Sequence, residues 1–216
     1  MEQNSKNRRS FIKSTGTVLV AGTVFPFGFN IREGFAGQKA KLKVGLIGCG
    51  GRGTGAAAQA LKADKDAELT AMGDIFPDYL EESYQSLIKI NPEQVKVDEA
   101  HKFIGFDAIH QVIDSGVDVV ILTTPPAFRP SHFKAAVDAG KHVFCEKPVA
   151  VDAPGVRSVL ESARLAKEKG LSVVSGFTFR YDTAKRSLFN KINEGEIGEI
   201  TDVFTARNGG GLWYKE

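Results

Sequence analysis

The sequence predicts an α/β fold built on a doubly wound parallel sheet, and three observations carry that prediction. The apolar run Leu42 to Ile47 enters a glycine cluster, Gly48-Cys49-Gly50-Gly51-Arg52-Gly53, that opens into a small-residue helix. A second run, Ala67 to Gly73, ends on the acidic Asp74, 21 residues beyond Gly53. From there to Ser175, strand-length apolar runs alternate with helical patterns. Right-handed crossovers turn that alternation into one sheet with helices on both faces.

Gly48, Gly50 and Gly53 have the spacing G-x-G-x-x-G. In a chain of 23 glycines the spacing alone says little. Its context supplies the argument: a buried-type strand precedes it, and the run Ala56 to Leu61 continues as helix. Gly48 permits a tight turn, Gly50 lets a pyrophosphate approach the backbone, and Gly53 lets the helix pack close to the strand. The first helical N–H groups lack intrahelical partners, so they and the helix dipole favour an anion. Gly48, Cys49, Gly50, Gly51, Arg52 and Gly53 are therefore candidate cofactor-binding residues. No Gly-Lys-Ser/Thr follows, so a dinucleotide fits better than ATP.

Asp74 stands where such folds place a carboxylate that accepts hydrogen bonds from the adenosine ribose. It reads also as a cap for the next helix, which Pro77 opens. A carboxylate there repels a 2′-phosphate and favours NAD over NADP, while Arg52 in the turn works against that preference.

Helix Tyr79 to Ile90 stops at Asn91-Pro92, and Lys102-Phe103-Ile104 is a short third strand after the ambiguous stretch Val95 to Ala100. Asp107 to Asp114 reads as helix. Val117 to Leu122 is apolar almost throughout, the mark of a strand covered on both faces, and ends in Thr123-Thr124-Pro125-Pro126. The next helix starts near Pro130, ends before Gly140 and turns Phe133, Ala136 and Val137 inward. Lys141 to Cys145 is the fifth strand, running directly into Glu146-Lys147-Pro148. Asp152 caps a helix whose expected inward face is Val156, Val159, Leu160, Ala163 and Ala166, and Leu171 to Ser175 is the sixth strand. Ligands of such sheets bind outside the carboxyl ends of the strands. The glycine turn, Asp74, Thr123 to Pro126 and Glu146 to Pro148 all fall at such ends.

Composition sets the class. Hydrophobic residues are 42% and charged residues 25%, ordinary for a globular protein, and the net charge of +2 gives no support to nucleic-acid binding. Cys49 and Cys145 make no disulfide framework and no C-x-x-C pair, and read as small, buried, reduced side chains. His101, His110 and His142 lack metal-ligand spacing, so no metal is proposed.

Residues 1–40 differ in character. Arg8-Arg9, then Phe11 and Lys13, precede a weakly apolar segment interrupted by Gly16, Gly22, Pro26 and Gly28. This looks like a twin-arginine signal, implying the twin-arginine export machinery as partner and a periplasmic or exported location. The route carries folded proteins, as a protein loaded with a cytoplasmic nucleotide requires. A plain basic N-terminus is the alternative. Cleavage near Ala36 to Ala40 and retention as an anchor are both open.

Taken together, the GLIGCGGRG turn, the TTPPAFRPSH segment, the run AGKHVFCEKP and GFTFRYD followed by EGEIGEI resemble the Gfo/Idh/MocA oxidoreductases, which include glucose-fructose oxidoreductase and inositol dehydrogenase. The resemblance spans roughly residues 41 to 210. It implies a Rossmann-type NAD(P)-binding domain over 41–175, followed over 176–216 by the start of an α+β domain for substrate and oligomerisation. It implies further NAD as cofactor with NADP open, a sugar or polyol substrate, and self-association. Residue by residue, Lys147 matches the lysine beside the reacting alcohol, Glu146 the residue reaching the nicotinamide ribose, and Thr123, Thr124 and Pro125 the loop lining the cofactor. Arg180 and Tyr181 lie on the stretch leading to the second domain, and Arg180 is a candidate substrate contact.

Chemistry agrees with Lys147 as catalytic residue. Hydride leaves a carbinol carbon as the hydroxyl proton is lost, and an amine beside that oxygen relays the proton. Without the resemblance, Lys147 reads as a solvated partner of Glu146. His132, in the first turn of a helix facing the crevice, is a candidate substrate contact or a surface histidine. The family's Asp and His partners of the lysine have no counterpart before Glu216, so the chain reads as truncated. After a helix over Thr183 to Asn193, only one strand, Ile200 to Arg207, is expected. The function implied is hydride transfer between a hydroxyl compound and nicotinamide. NAD-assisted glycoside hydrolysis and a non-catalytic nucleotide-binding fragment are the alternatives.

Overall fold

The computed structural model describes residues 41–206. The paired arginines and the rest of residues 1–40 lie outside the described residues, as do 207–216. The element order is β1 (Leu42–Ile47), α1 (Gly51–Ala63), β2 (Ala67–Asp74), α2 (Pro77–Ile90), β3 (Lys102–Ile104), α3 (Ala108–Asp114), β4 (Val119–Leu122), α4 (Arg129–Asp138), β5 (His142–Cys145), α5 (Ala153–Glu168), β6 (Val173–Ser175), α6 (Thr178–Tyr181) and α7 (Thr183–Asn193). A 3-10 turn, Glu99–His101, precedes β3 and is capped by the Asp98 carboxylate.

The six strands run parallel in the order β3-β2-β1-β4-β5-β6. The direction of winding reverses between β1 and β4, where a doubly wound sheet opens its crevice. Register makes the strand ends level: Ile47 lies opposite Gly73 on one side and Leu122 on the other, and Leu122 opposite Cys145. The loops that follow these four residues therefore emerge side by side.

Period-two alternation divides the strand side chains between two cores. Val44, Leu46, Leu69, Met72 and Ile121 pack with Leu61 of α1 and Leu80 and Leu87 of α2. Ile47, Ala71, Val120, Leu122 and Val143 pack on the opposite face with Val112 of α3 and Phe133, Ala136 and Val137 of α4. Cys49 and Cys145 are buried free thiols.

Three expectations change. Asp152 caps α5 as expected, its carboxylate accepting from the Gly155 N–H at 2.7 Å. The buried stripe of α5, however, is Val159, Ser162, Ala163 and Ala166. Val156 and Leu160 are 41% and 65% exposed. Helix α5 packs chiefly against α4 beside the sheet edge, so only a narrow face is covered. The ambiguous stretch contributes to the core, with Val95 bridging to Leu69 and Val97 buried. Residues 200–206 form no strand, and Phe204 is 91% exposed. A single extended segment has no ladder to join without a neighbour.

Candidate functional site

The glycine turn is built as its spacing requires. Gly48 takes φ +93, outside the range of most side chains, and its N–H donates to the Gly73 carbonyl at 2.9 Å. A Cβ on Gly53 would lie 1.9 Å from the Gly48 carbonyl oxygen, so α1 approaches β1 as only glycine permits. A Cβ on Gly50 or Gly51 would meet nothing within 4 Å, leaving this side of the turn open. Helix α1 has Gly50 as its N-cap and no side-chain cap. Its first N–H groups and its dipole point into that opening, which suits a pyrophosphate.

Asp74 closes one side of the turn. Its Oδ2 accepts from the Cys49 N–H at 2.6 Å and its Oδ1 from the Phe76 N–H at 3.0 Å. The carboxylate thus braces the backbone leading into α2 without capping it, since the N-cap is Phe76 and has no side-chain cap, and it lines the crevice together with Phe76 and Phe106. The sequence reading missed these two aromatics. Phe106 is 75% exposed, and its place immediately after a strand-ending glycine was the available signal.

On the other side stands the loop after β4. The Thr123 hydroxyl lies 2.6 Å from the Gly48 carbonyl and 3.0 Å from that of Ile47, and its single proton favours the nearer. Thr124 is held at both ends. Its hydroxyl meets His132 Nδ1 at 3.2 Å, and its carbonyl accepts from Arg129 Nη2. His132 stacks on Phe128 with ring centroids 5.9 Å apart, and burial, aided by His110 and Arg129, pulls its pKa down to about 4. It is neutral at physiological pH and lines the crevice together with Thr123, Thr124 and Pro125.

The loop after β5 is held by two arginines. Arg52, in the first turn of α1, reaches the buried Glu146 carboxylate, with Nε at 2.7 Å and Nη2 at 2.5 Å from Oε1. Glu146 thus faces the glycine turn rather than Lys147. Arg129, only 2% exposed, donates from Nη1 to the Pro148 carbonyl. Lys147 stands between these two anchored residues, exposed, and with no hydrogen-bond or ion-pair partner among the described residues. Its pairing with Glu146 is not seen.

Arg129 was not singled out from the sequence, yet a signal existed. A cation in the first turn of a helix opposes the helix dipole, so another interaction must hold it there. Arg180 is not brought to the crevice. It lies over the Phe177 ring, 5.1 Å from the centroid, and lines a separate hollow with Phe179 and Phe189.

Residues 42–177 match the family model described as "Oxidoreductase family, NAD-binding Rossmann fold", of the Gfo/Idh/MocA group. The chain belongs to the Gfo/Idh/MocA oxidoreductase family.

Among curated members of the family, it is 30% identical over 162 residues to an inositol 2-dehydrogenase of Rhizobium meliloti, covering 75% of this chain and 44% of the relative. It is 34% identical over 165 residues to the inositol 2-dehydrogenase of Burkholderia vietnamiensis, covering 73% and 43%. The chain thus spans less than half the length of these relatives. Of solved family structures, scyllo-inositol dehydrogenase from Lactobacillus casei with bound NAD(H) and scyllo-inositol superposes with a TM-score of 0.60 at 26% identity, over 74% of this chain and 43% of that one. A mutant 3-ketoreductase from Actinomadura kijaniata, in complex with TDP-benzene and NADP, superposes at 0.56 and 27% identity, over 74% and 46%. Residues 42–177 are accordingly the NAD-binding Rossmann domain of the family.

Proposed function

We propose that the protein is an NAD-dependent dehydrogenase that oxidises a hydroxyl of a polyol or sugar, with Lys147 relaying the hydroxyl proton. The observation that carries this reading is the placement of Lys147. It is free of Glu146 and follows β5 by two residues, and the last residue of β5, Cys145, is level with Leu122, which is in turn level with Ile47, so its loop emerges beside the Thr-Pro loop and the glycine turn. The inositol dehydrogenases among the relatives supply the substrate class.

The glycine turn, Asp74 and the Thr-Pro loop line the crevice, Lys147 stands on the neighbouring loop outside that lining, and each has a role in the proposed reaction. The open turn at Gly50 and Gly51 and the start of α1 hold the pyrophosphate, and Asp74 accepts hydrogen bonds from the adenosine ribose. NAD, when bound, supplies the hydride acceptor. Thr123, Thr124 and Pro125 form the wall beside it, with Thr124 fixed by His132 and Arg129. The Lys147 amine takes the hydroxyl proton and offsets the charge that develops on oxygen. NAD is favoured over NADP because the Asp74 carboxylate would repel a 2′-phosphate and Arg52, which could attract one, is engaged by Glu146. The test is oxidation of myo- and scyllo-inositol by the purified protein with NAD. NADH accumulation that is lost in Lys147→Ala supports the reading, and equal turnover in that variant contradicts it.

We infer further that the protein leaves the cytoplasm by the twin-arginine route, from Arg8-Arg9 and the weakly apolar segment behind them, and that it self-associates. Residues 1–40 fused to a fluorescent reporter should carry it to the periplasm, and a twin-lysine variant should not. Cytoplasmic retention of both fusions argues against export. Sedimentation of the purified protein reads self-association, which a monomeric mass would contradict.

A further inference from the structure

We propose that Arg129 is a positioning residue for Lys147, a buried fork that ties the lysine loop to the loop lining the cofactor. The proposal rests on the dehydrogenase reading above for its functional meaning, and on geometry for its substance. Arg129 Nη2 donates to the Thr124 carbonyl and Nη1 to the Pro148 carbonyl, so one rigid guanidinium spans the segments that follow β4 and β5. Both acceptors are backbone atoms. The planar fork fixes where the two chains lie relative to each other, which a flexible lysine ammonium could not do. Pro148 is bonded directly to Lys147, so this bond sets the path of the backbone that carries the amine.

The energetics explain why the arrangement holds. Arg129 is almost wholly buried and makes no carboxylate contact, since Glu146, whose field favours the charge, is taken by Arg52. Its two Nη groups each find a carbonyl, while Nε is buried with no partner among the described residues, so these two bonds are the guanidinium's whole compensation and giving up either leaves a further buried donor unpaired. The cation thus opposes separation of the two loops. A surface arginine with the same reach would let them drift. With Glu146 held by Arg52 on the other flank, the lysine backbone is fixed from both sides while its side chain stays free.

The consequence is mechanical coupling: whatever orders the Thr124 loop is felt at Lys147. The test is amide hydrogen exchange on the full chain, reading two protected N–H groups. One is Phe128, which donates to the Pro125 carbonyl at 3.1 Å; the other is Glu146, which donates to the Leu122 carbonyl at 3.0 Å. Gly48 N–H, bonded to the Gly73 carbonyl, is the control. Without cofactor, Arg129→Lys should speed exchange at Phe128 and Glu146 together by about tenfold or more, as loss of charge-assisted bonds implies, and leave Gly48 unchanged. His132→Gln, which removes the side-chain hold on Thr124 and the ring stacked on Phe128 but keeps the Arg129 fork, should leave Glu146 unchanged. A uniform rise at all three sites in Arg129→Lys, or a rise at Phe128 alone, overturns the proposal. Should that variant fail to fold, the wild-type protein decides: in low urea, Phe128 and Glu146 should show one opening free energy and one denaturant slope, and unequal slopes overturn it. Adding NADH separates the two readings. Slowing at both amides in wild type, but only at Phe128 in Arg129→Lys, supports the coupling, and slowing at both in the variant overturns it. If NADH slows neither in wild type, the cofactor reading fails and the unliganded rates still decide whether Arg129 joins the loops.

Discussion

Arg52 and Glu146 lie 94 residues apart in sequence and meet across the mouth of the sheet, Nη2 to Oε1 at 2.5 Å. The pair joins the glycine turn after β1 to the lysine loop after β5. Its two members differ in exposure: the Arg52 side chain is 49% accessible and that of Glu146 only 7%. Removing the arginine therefore strands a buried carboxylate, whereas removing the carboxylate leaves a cation that water can reach.

That asymmetry predicts unequal costs. Arg52→Ala should destabilise the domain by about 1–3 kcal/mol, the penalty of an unsatisfied buried acceptor, and Glu146→Gln by clearly less. The double variant should cost less than the sum, because the second change removes the stranded charge. Urea unfolding of the four proteins measures this, and equal single-variant costs would count against the pair as described.

Gly53→Ala tests the close approach of α1 to β1. The added Cβ would sit 1.9 Å from the Gly48 carbonyl, a contact with backbone that cannot be relieved by a side-chain rotation. We expect about 1–3 kcal/mol of destabilisation from the overpacking and a distorted turn. Thermal melts and cofactor titration on the same sample check both parts; wild-type values in each would refute the geometry.

His132 makes stability pH-dependent with a definite sign. Its folded pKa of about 4 lies below the unfolded value near 6.5, so the unfolded chain binds more protons between them. Stability from this group is fully present above about pH 6.5 and is lost as pH falls toward 4. His132→Gln should flatten that decline relative to wild type in urea midpoints measured from pH 7 to 4. Parallel curves would mean the ring is not buried as described.

The sequence carried the frame of the molecule well, and the reasons are local. Strand and helix alternation, the Gly53 contact and the Asp74 position follow from hydrophobic period and spacing, which neighbouring residues determine. The Arg52–Glu146 pair could not be read that way. It exists because β1, β4 and β5 lie side by side, a consequence of strand order rather than of any short motif. Arg129 was hidden for a similar reason, since its partners are carbonyl oxygens that every residue possesses. Val156 and Leu160 fit a helical apolar stripe, but no element of the described chain covers that side of α5. The segment 200–206 has β-branched residues and no neighbouring strand to pair with.

Aspartate 74 should decide between the two nicotinamide cofactors. On the proposed cofactor placement, Asp74→Ser removes the carboxylate that would accept from the ribose and the charge that would repel a 2′-phosphate, so NADH should bind about tenfold or more weakly while NADPH gains. Competition between the two cofactors, followed by fluorescence, measures the ratio; an unchanged ratio would remove Asp74 from the ribose site.

The most direct test of the account is fluorescence titration of NADH into the wild-type chain and into Gly53→Ala. Saturable binding in wild type, tighter for NADH than for NADPH and lost or strongly weakened in the variant, is the predicted result. No binding to the folded wild-type chain at millimolar NADH would contradict it.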